Sequence, residues 1–189
     1  DSARVTHGGG NRQGATLEIH LEDWYHGIAH PARWARYRGH IYLTGNMLLD
    51  ALEYRRVKAV VYVLGALGDD YPALVQRARD AGHVIGSHGQ WHLRGEAPGP
   101  EPYRAPYWDG QKRPGWCGGF FFRALPYWAV KREVLRCGLF YIHPHDIDDR
   151  HPAIPGRPWL NIKRHLGVGR ALDRLDLLLR EVQWKDPTS

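Results

Sequence analysis

Three apolar runs restrict this chain most, because each stops on groups able to bind a metal or move a proton. Thr16 to Leu21 leads into Glu22 and Asp23. Val84 to Ser87 ends at His88, with His92 four residues on, and Leu139 to Ile142 ends at His143. A fourth run, Val57 to Leu64, is continuous and β-branched, the pattern of a strand covered on both faces. Between the runs lie helical periods. Met47, Leu48, Ala51 and Leu52 recur from Asn46 onward, with Thr44 as the N-cap. Leu74, Val75 and Ala78 follow an Asp70 cap and Pro72, and Gly82 stops that helix. Strand, helix, strand, helix, strand with short joins implies a parallel sheet with right-handed crossovers. Reactive groups in such sheets collect at the carboxyl ends of the strands. The expectation is one site built from three strand ends.

Residues 1–15 have no period and form a tail, and residues 16–189 form one domain. Glu18 and His20 alternate with apolar neighbours, which puts the first strand near an edge. Trp24 to Gly39 is a loop with a short helix near Pro31–Tyr37. From Leu93 to Gly119 the period is lost, in a loop carrying Tyr103 to Trp108. Phe120 to Phe122 is a short strand. A helix from Leu125 to Gly138 turns Trp128, Val130, Val134 and Leu135 inward. His143 to Arg157 is a loop. A last helix, from about Gly169 to Arg180, uses Leu172, Leu175, Leu178 and Leu179, and Val182 to Trp184 adds a final short strand.

With 189 residues, 43% of them apolar, the chain is long enough for one sizeable core. No apolar run approaches the roughly 20 residues of a membrane span, and no signal-peptide pattern opens the sequence. The net charge is +6. Its basic residues are scattered, which reads as a solvated surface; nucleic-acid binding is the weakest functional reading. The two cysteines, Cys117 and Cys137, have no CxxC spacing and read as separate thiols.

Asp23, His88 and His92 are the expected ligands of a divalent metal. Two imidazoles and a carboxylate with a place for water suit catalytic zinc, and the same set accepts cobalt, nickel or iron. A helical turn after the strand would aim both rings at one point. His26 and His30 share the spacing and form a rival pair. Glu22, leaving the strand on the other side from Asp23, is the expected base, and His143 the expected acid. Arg104 can orient Glu22 by a bidentate hydrogen bond. Trp24, Tyr107, Trp108 and Trp116 can line a groove for the apolar faces of sugar rings.

Five stretches in order carry a resemblance: Leu-Glu-Asp-Trp-Tyr-His, Ser-His-Gly-Gln-Trp-His, Tyr-Arg-Ala-Pro-Tyr, Gly-Gly-Phe-Phe-Phe-Arg-Ala-Leu-Pro-Tyr and Phe-Tyr-Ile-His-Pro-His-Asp-Ile-Asp. Together they resemble the polysaccharide deacetylases of the NodB-homology type, in the branch of exopolysaccharide loci with a Glu-Asp pair. The resemblance implies a distorted α/β barrel, a (β/α) barrel of parallel strands with fewer than eight of them. It implies a metal triad of Asp23, His88 and His92, Glu22 as base, Arg104 as its tether, Tyr107 as an oxyanion amide and His143 as acid. It implies hydrolysis of N-acetyl groups on a glycan substrate, in the bacterial cytoplasm, periplasm or envelope. The alternatives are a glycan-binding module without turnover and a hydrolase of small cyclic ureides or imides. The chain departs from the pattern in one respect. Only eleven residues separate His92 from Arg104, so one or two α/β units are missing and the barrel is reduced and open. The usual acidic partner of the catalytic His goes with them, leaving Asp146 or Asp148 as substitutes.

Overall fold

Four short strands, all parallel, are laid side by side in the order β3-β2-β1-β4. They are β1 (Thr16–Leu21), β2 (Val60–Val63), β3 (Val84–Ser87) and β4 (Leu139–Ile142). The protein is seen here as a computed structural model that describes residues 14–93 and 116–189. Among them the sheet is open, with β3 and β4 at its edges, an α/β arrangement that fits a reduced barrel.

The first strand is central, not at an edge. It pairs with β2 on one side and β4 on the other. Its alternation of charge reflects two buried faces of different character. Leu17, Ile19 and Leu21 join Val61, Val63, Phe140 and Ile142 in the hydrophobic core. Glu18 and His20 are also buried, and the His20 ring meets Tyr62 and Tyr141 at 5.6 and 5.7 Å. One face is thus covered by helices, and the other is a polar interior.

The helical side is supplied by α1 (Ile41–Arg55), α3 (Pro72–Asp80), α5 (Tyr127–Cys137) and α7 (Ala171–Glu181), with shorter helices α2 (Gly65–Asp70), α4 (Gly119–Ala124) and α6 (Pro158–His165). Leu48 and Leu52 of α1, Leu74 and Val75 of α3, Val130 and Val134 of α5, and Leu175 and Leu178 of α7 close over the core. The expected inward positions Trp128 and Leu135 are 67% and 57% exposed, since the buried stripe of α5 is carried by Val130 and Val134 alone.

Several expected boundaries move for identifiable reasons. Thr44 lies inside α1; its hydroxyl donates to the carbonyl of His40, which holds the N-cap position. Asp70 ends α2 instead of capping α3, whose N-cap is Tyr71. The run Phe120–Phe122 is helical. Gly118 lies so close to β4 that a Cβ there would sit 1.9 Å from the carbonyl oxygen of Tyr141, and Gly119, at φ 53, turns the chain into α4. The run from Val57 to Leu64 pairs only over Val60–Val63. Val182 to Trp184 contributes a single bridge, Ala15 to Trp184. Short 3-10 turns lie at Pro31–Arg36 and Val168–Arg170. Both cysteines are free thiols. No described helix is long and apolar enough to cross a membrane.

Candidate functional site

The strand alternation of β1 decides where its two terminal carboxylates go. Leu17, Ile19 and Leu21 face the helices, so Asp23 continues on that side; Glu18 and His20 face the interior, and Glu22 continues there. The hydrogen bonds agree. Asp23 Oδ1 accepts from the Trp24 amide at 2.8 Å, and Oδ2 accepts from the His40 and Ile41 amides at 2.8 and 3.0 Å. Asp23 therefore caps the start of α1, satisfying amides that a helix leaves open.

Among the described residues, Glu22 is the carboxylate that groups with the two expected imidazoles. Ligand atoms of Glu22, His88 and His92 all lie within 4.8 Å of one another. Register brings them level: Leu21 pairs with Val63, and Val63 with Ser87, so Glu22 and His88 leave the sheet at the same height on either side of β2. No helical turn carries His92. The chain bends after β3, and His92 sits at φ 58, in the left-handed region. That conformation is uncommon for a residue with a side chain. The His88 and His92 rings are 5.0 Å apart.

Two carboxylate-backed imidazoles flank this cluster. Register pairs Ile142 with Ile19, so His143 emerges beside His20, with ring centroids 5.1 Å apart. His143 Nε2 lies 3.3 Å from Glu22 Oε1, and His143 Nδ1 lies 3.1 Å from Asp146 Oδ2. Asp146 thus supplies the partner that the spacing left open. Arg123 Nε donates to Asp146 Oδ1 at 3.0 Å, and the same guanidinium donates to the carbonyls of Lys163, Arg164 and Leu166. Asp148 instead faces His40, with Oδ2 2.8 Å from its Nδ1. On the other flank, His20 Nδ1 is 3.2 Å from His88 Nε2, and His20 Nε2 is 3.4 Å from Glu18 Oε2.

Burial and charge set the protonation states. Burial raises the Glu22 carboxyl, but the charges of His143, His92 and His88 outweigh it and hold it at about 2. Burial pushes His88 down to about 3. An ionised carboxylate beside a neutral imidazole is the form in which both groups ligate a cation. Burial also works against a charged His143, yet the hydrogen bond and charge of Asp146, with the charge of Glu22, raise its pKa above the ordinary value.

His26 and His30 do not converge: His26 Nδ1 accepts the Asp23 amide at 3.0 Å, and His30 Nδ1 accepts the Ala32 amide at 3.3 Å. Arg104, Tyr107 and Trp108 lie outside the described residues. Trp116 is half-exposed against Phe121. Trp24 is buried; its indole donates to the Arg38 carbonyl, and the Arg164 guanidinium lies 5.1 Å from its ring and donates to its carbonyl. Beside the site is a cleft of about 420 Å³ with Tyr25, Trp34, Tyr71 and Trp91 on its walls. Sequence reasoning missed Glu18, His20, Arg123 and Arg164. A β1 with charge inside a strand and reactive groups at its end was the available signal for the first two; the arginines had none.

Residues 44–111 match the model of the polysaccharide deacetylase family. Residues 107–188 match that of a domain of unknown function, DUF3473. No curated protein matches the chain. Among solved structures it is similar to the Bc1960 peptidoglycan N-acetylglucosamine deacetylase, at 16% identity over 94% of this chain and 87% of that one, with a TM-score of 0.47.

Proposed function

We propose that this chain, a polysaccharide deacetylase by the family pattern it carries through residues 44–111, removes N-acetyl groups from N-acetylhexosamine units of a glycan and releases acetate. The observation that carries the reading is the gathering of Glu22, His88 and His92 between two carboxylate-backed imidazoles. Two nitrogens and one carboxylate oxygen fit a divalent cation such as zinc, with cobalt, nickel or iron as chemical equivalents. Such a cation supplies Lewis-acid polarisation of a carbonyl and acidifies water.

The protein groups divide the proton work. Glu22, counted first as the base, serves in this reading as a ligand. His20, whose ring nitrogens face His88 at 3.2 Å and Glu18 at 3.4 Å, holds the His88 ring in orientation. His143, held by Asp146, stands where it can give one to the departing amine. Arg104 and Tyr107 keep their proposed roles, tether and oxyanion amide. The aromatic cleft accommodates a sugar ring on one side of the N-acetylated unit.

The deciding experiment measures bound metal and acetate release from oligomers of N-acetylglucosamine, before and after chelation. Activity should vanish on chelation and return with zinc. Full activity in the metal-free protein would overturn the mechanism. Oligomer binding without acetate release would mark a glycan-binding module instead.

Asp146→Asn should lower kcat/KM by about 10²–10³-fold, the range of a general acid. It should also move the basic limb of the pH profile to lower pH. Asp146 helps hold the His143 pKa up, and an acid works only below its pKa, so losing that support ends activity earlier as pH rises. An unchanged limb would remove Asp146 from the reaction.

A further inference from the structure

A second cleft, of about 400 Å³, lies between the loops that follow β1 and β4. Arg36, Arg38 and His40 come from the first loop and Arg150 from the second, with Trp24 and Tyr37 as aromatic wall. No carboxylate lines it. Two of these groups already face an acid, His40 with Asp148 at 2.8 Å and Arg150 with Asp149 at 3.8 Å, which leaves Arg36 and Arg38 to meet a ligand. Arg36 and Arg38 are exposed, and no ion pair is formed by either among the described residues. Cations gathered in one concavity raise the local concentration of anions.

The cleft is fixed to the reaction centre. Asp23 accepts the Trp24 amide on one oxygen and the His40 amide on the other, so two cleft residues are tied to the corner that carries Glu22. Both loops leave the carboxyl ends of adjacent strands, the end where Glu22 and His143 stand.

We propose that this cleft is a subsite for a carboxylate-bearing sugar of the same glycan, next to the N-acetylated unit. The inference rests on the deacetylase reading for its setting. A guanidinium fork matches a carboxylate, and the partly exposed Tyr37 ring, backed by buried Trp24, suits a sugar ring. The chain therefore acts on an acidic heteropolymer in preference to a neutral homopolymer.

The test compares two N-acetylated oligosaccharides, one neutral and one with a uronate beside the acetylated unit. Wild-type protein and the Arg36→Gln/Arg38→Gln double variant are assayed at low and high salt. Wild type should favour the uronate substrate by about tenfold in kcat/KM at low salt, the worth of one charge-assisted hydrogen bond. The preference should shrink with salt and vanish in the double variant, whose activity on the neutral oligomer stays unchanged. Equal kcat/KM for both substrates, or a preference that survives in the double variant, overturns the subsite. If neither substrate is deacetylated, the enzymatic reading fails separately, and calorimetric titration with a hexuronate oligomer judges the cleft. About tenfold weaker binding to the double variant supports it; equal affinity or no binding overturns it.

Discussion

Glu22→Gln is expected to strip the protein of its divalent cation and to lower acetate release by about 10³-fold, the scale of losing a central element of the site. The amide retains the shape of the side chain but not its charge, and two neutral imidazoles hold a catalytic cation poorly without an anionic third ligand. The companion variant is Asp23→Asn. Its oxygens accept three backbone amides at the start of α1, so it should retain the metal and lose mainly stability, by about 1 kcal/mol as for a helix cap. Metal analysis by mass spectrometry on both variants separates the assignments. Metal lost from Asp23→Asn and retained in Glu22→Gln would return the ligand role to Asp23 and the base role to Glu22.

The largest loss of stability should come from Arg123→Met, at about 3–5 kcal/mol, the cost of breaking a buried pair from one side. Arg123 is 4% exposed and Asp146 1%. Removing the guanidinium leaves the Asp146 charge in the interior with only His143 to meet it. It also takes a donor from the carbonyls of Lys163, Arg164 and Leu166, and unmet buried acceptors are costly. Urea unfolding followed by tryptophan fluorescence measures the change. Adding Asp146→Asn to Arg123→Met should recover part of it, because the orphaned charge is then gone. A loss below about 1 kcal/mol would put this pair in the class of surface bridges.

Strand-end chemistry was legible because apolar runs that stop on acids or imidazoles leave a plain mark in the letters. The Thr16–Leu21 strand, the parallel sheet and the convergence of His88, His92 and His143 near one carboxylate could be read in this way. The carboxylate that groups with His88 and His92 differs from the one expected: adjacent residues diverge, parity with Leu17, Ile19 and Leu21 sends Asp23 toward α1, and Glu22 faces the imidazoles. The same parity explains Glu18 and His20. A period-2 pattern reads as half exposed unless the second face is known to be an interior, and only the pairing of β1 on both sides shows that. The links from Arg123 to Asp146 and from Arg164 to Trp24 span 23 and 140 residues. Contacts of that reach depend on how helices settle after the sheet forms, so a single sequence holds no local trace of them.

The grip of Arg164 on the Trp24 carbonyl sets an order of events during synthesis. The ribosome delivers the Glu22 corner early, and its clasp arrives 140 positions after Trp24. A growing chain can lay down the first three strands and still lack both that clasp and His143, which β4 brings late. Assembly of the strand-end cluster thus waits for the segment that carries β4, because a nascent chain that stops short of it lacks the imidazole that stands 3.3 Å from Glu22.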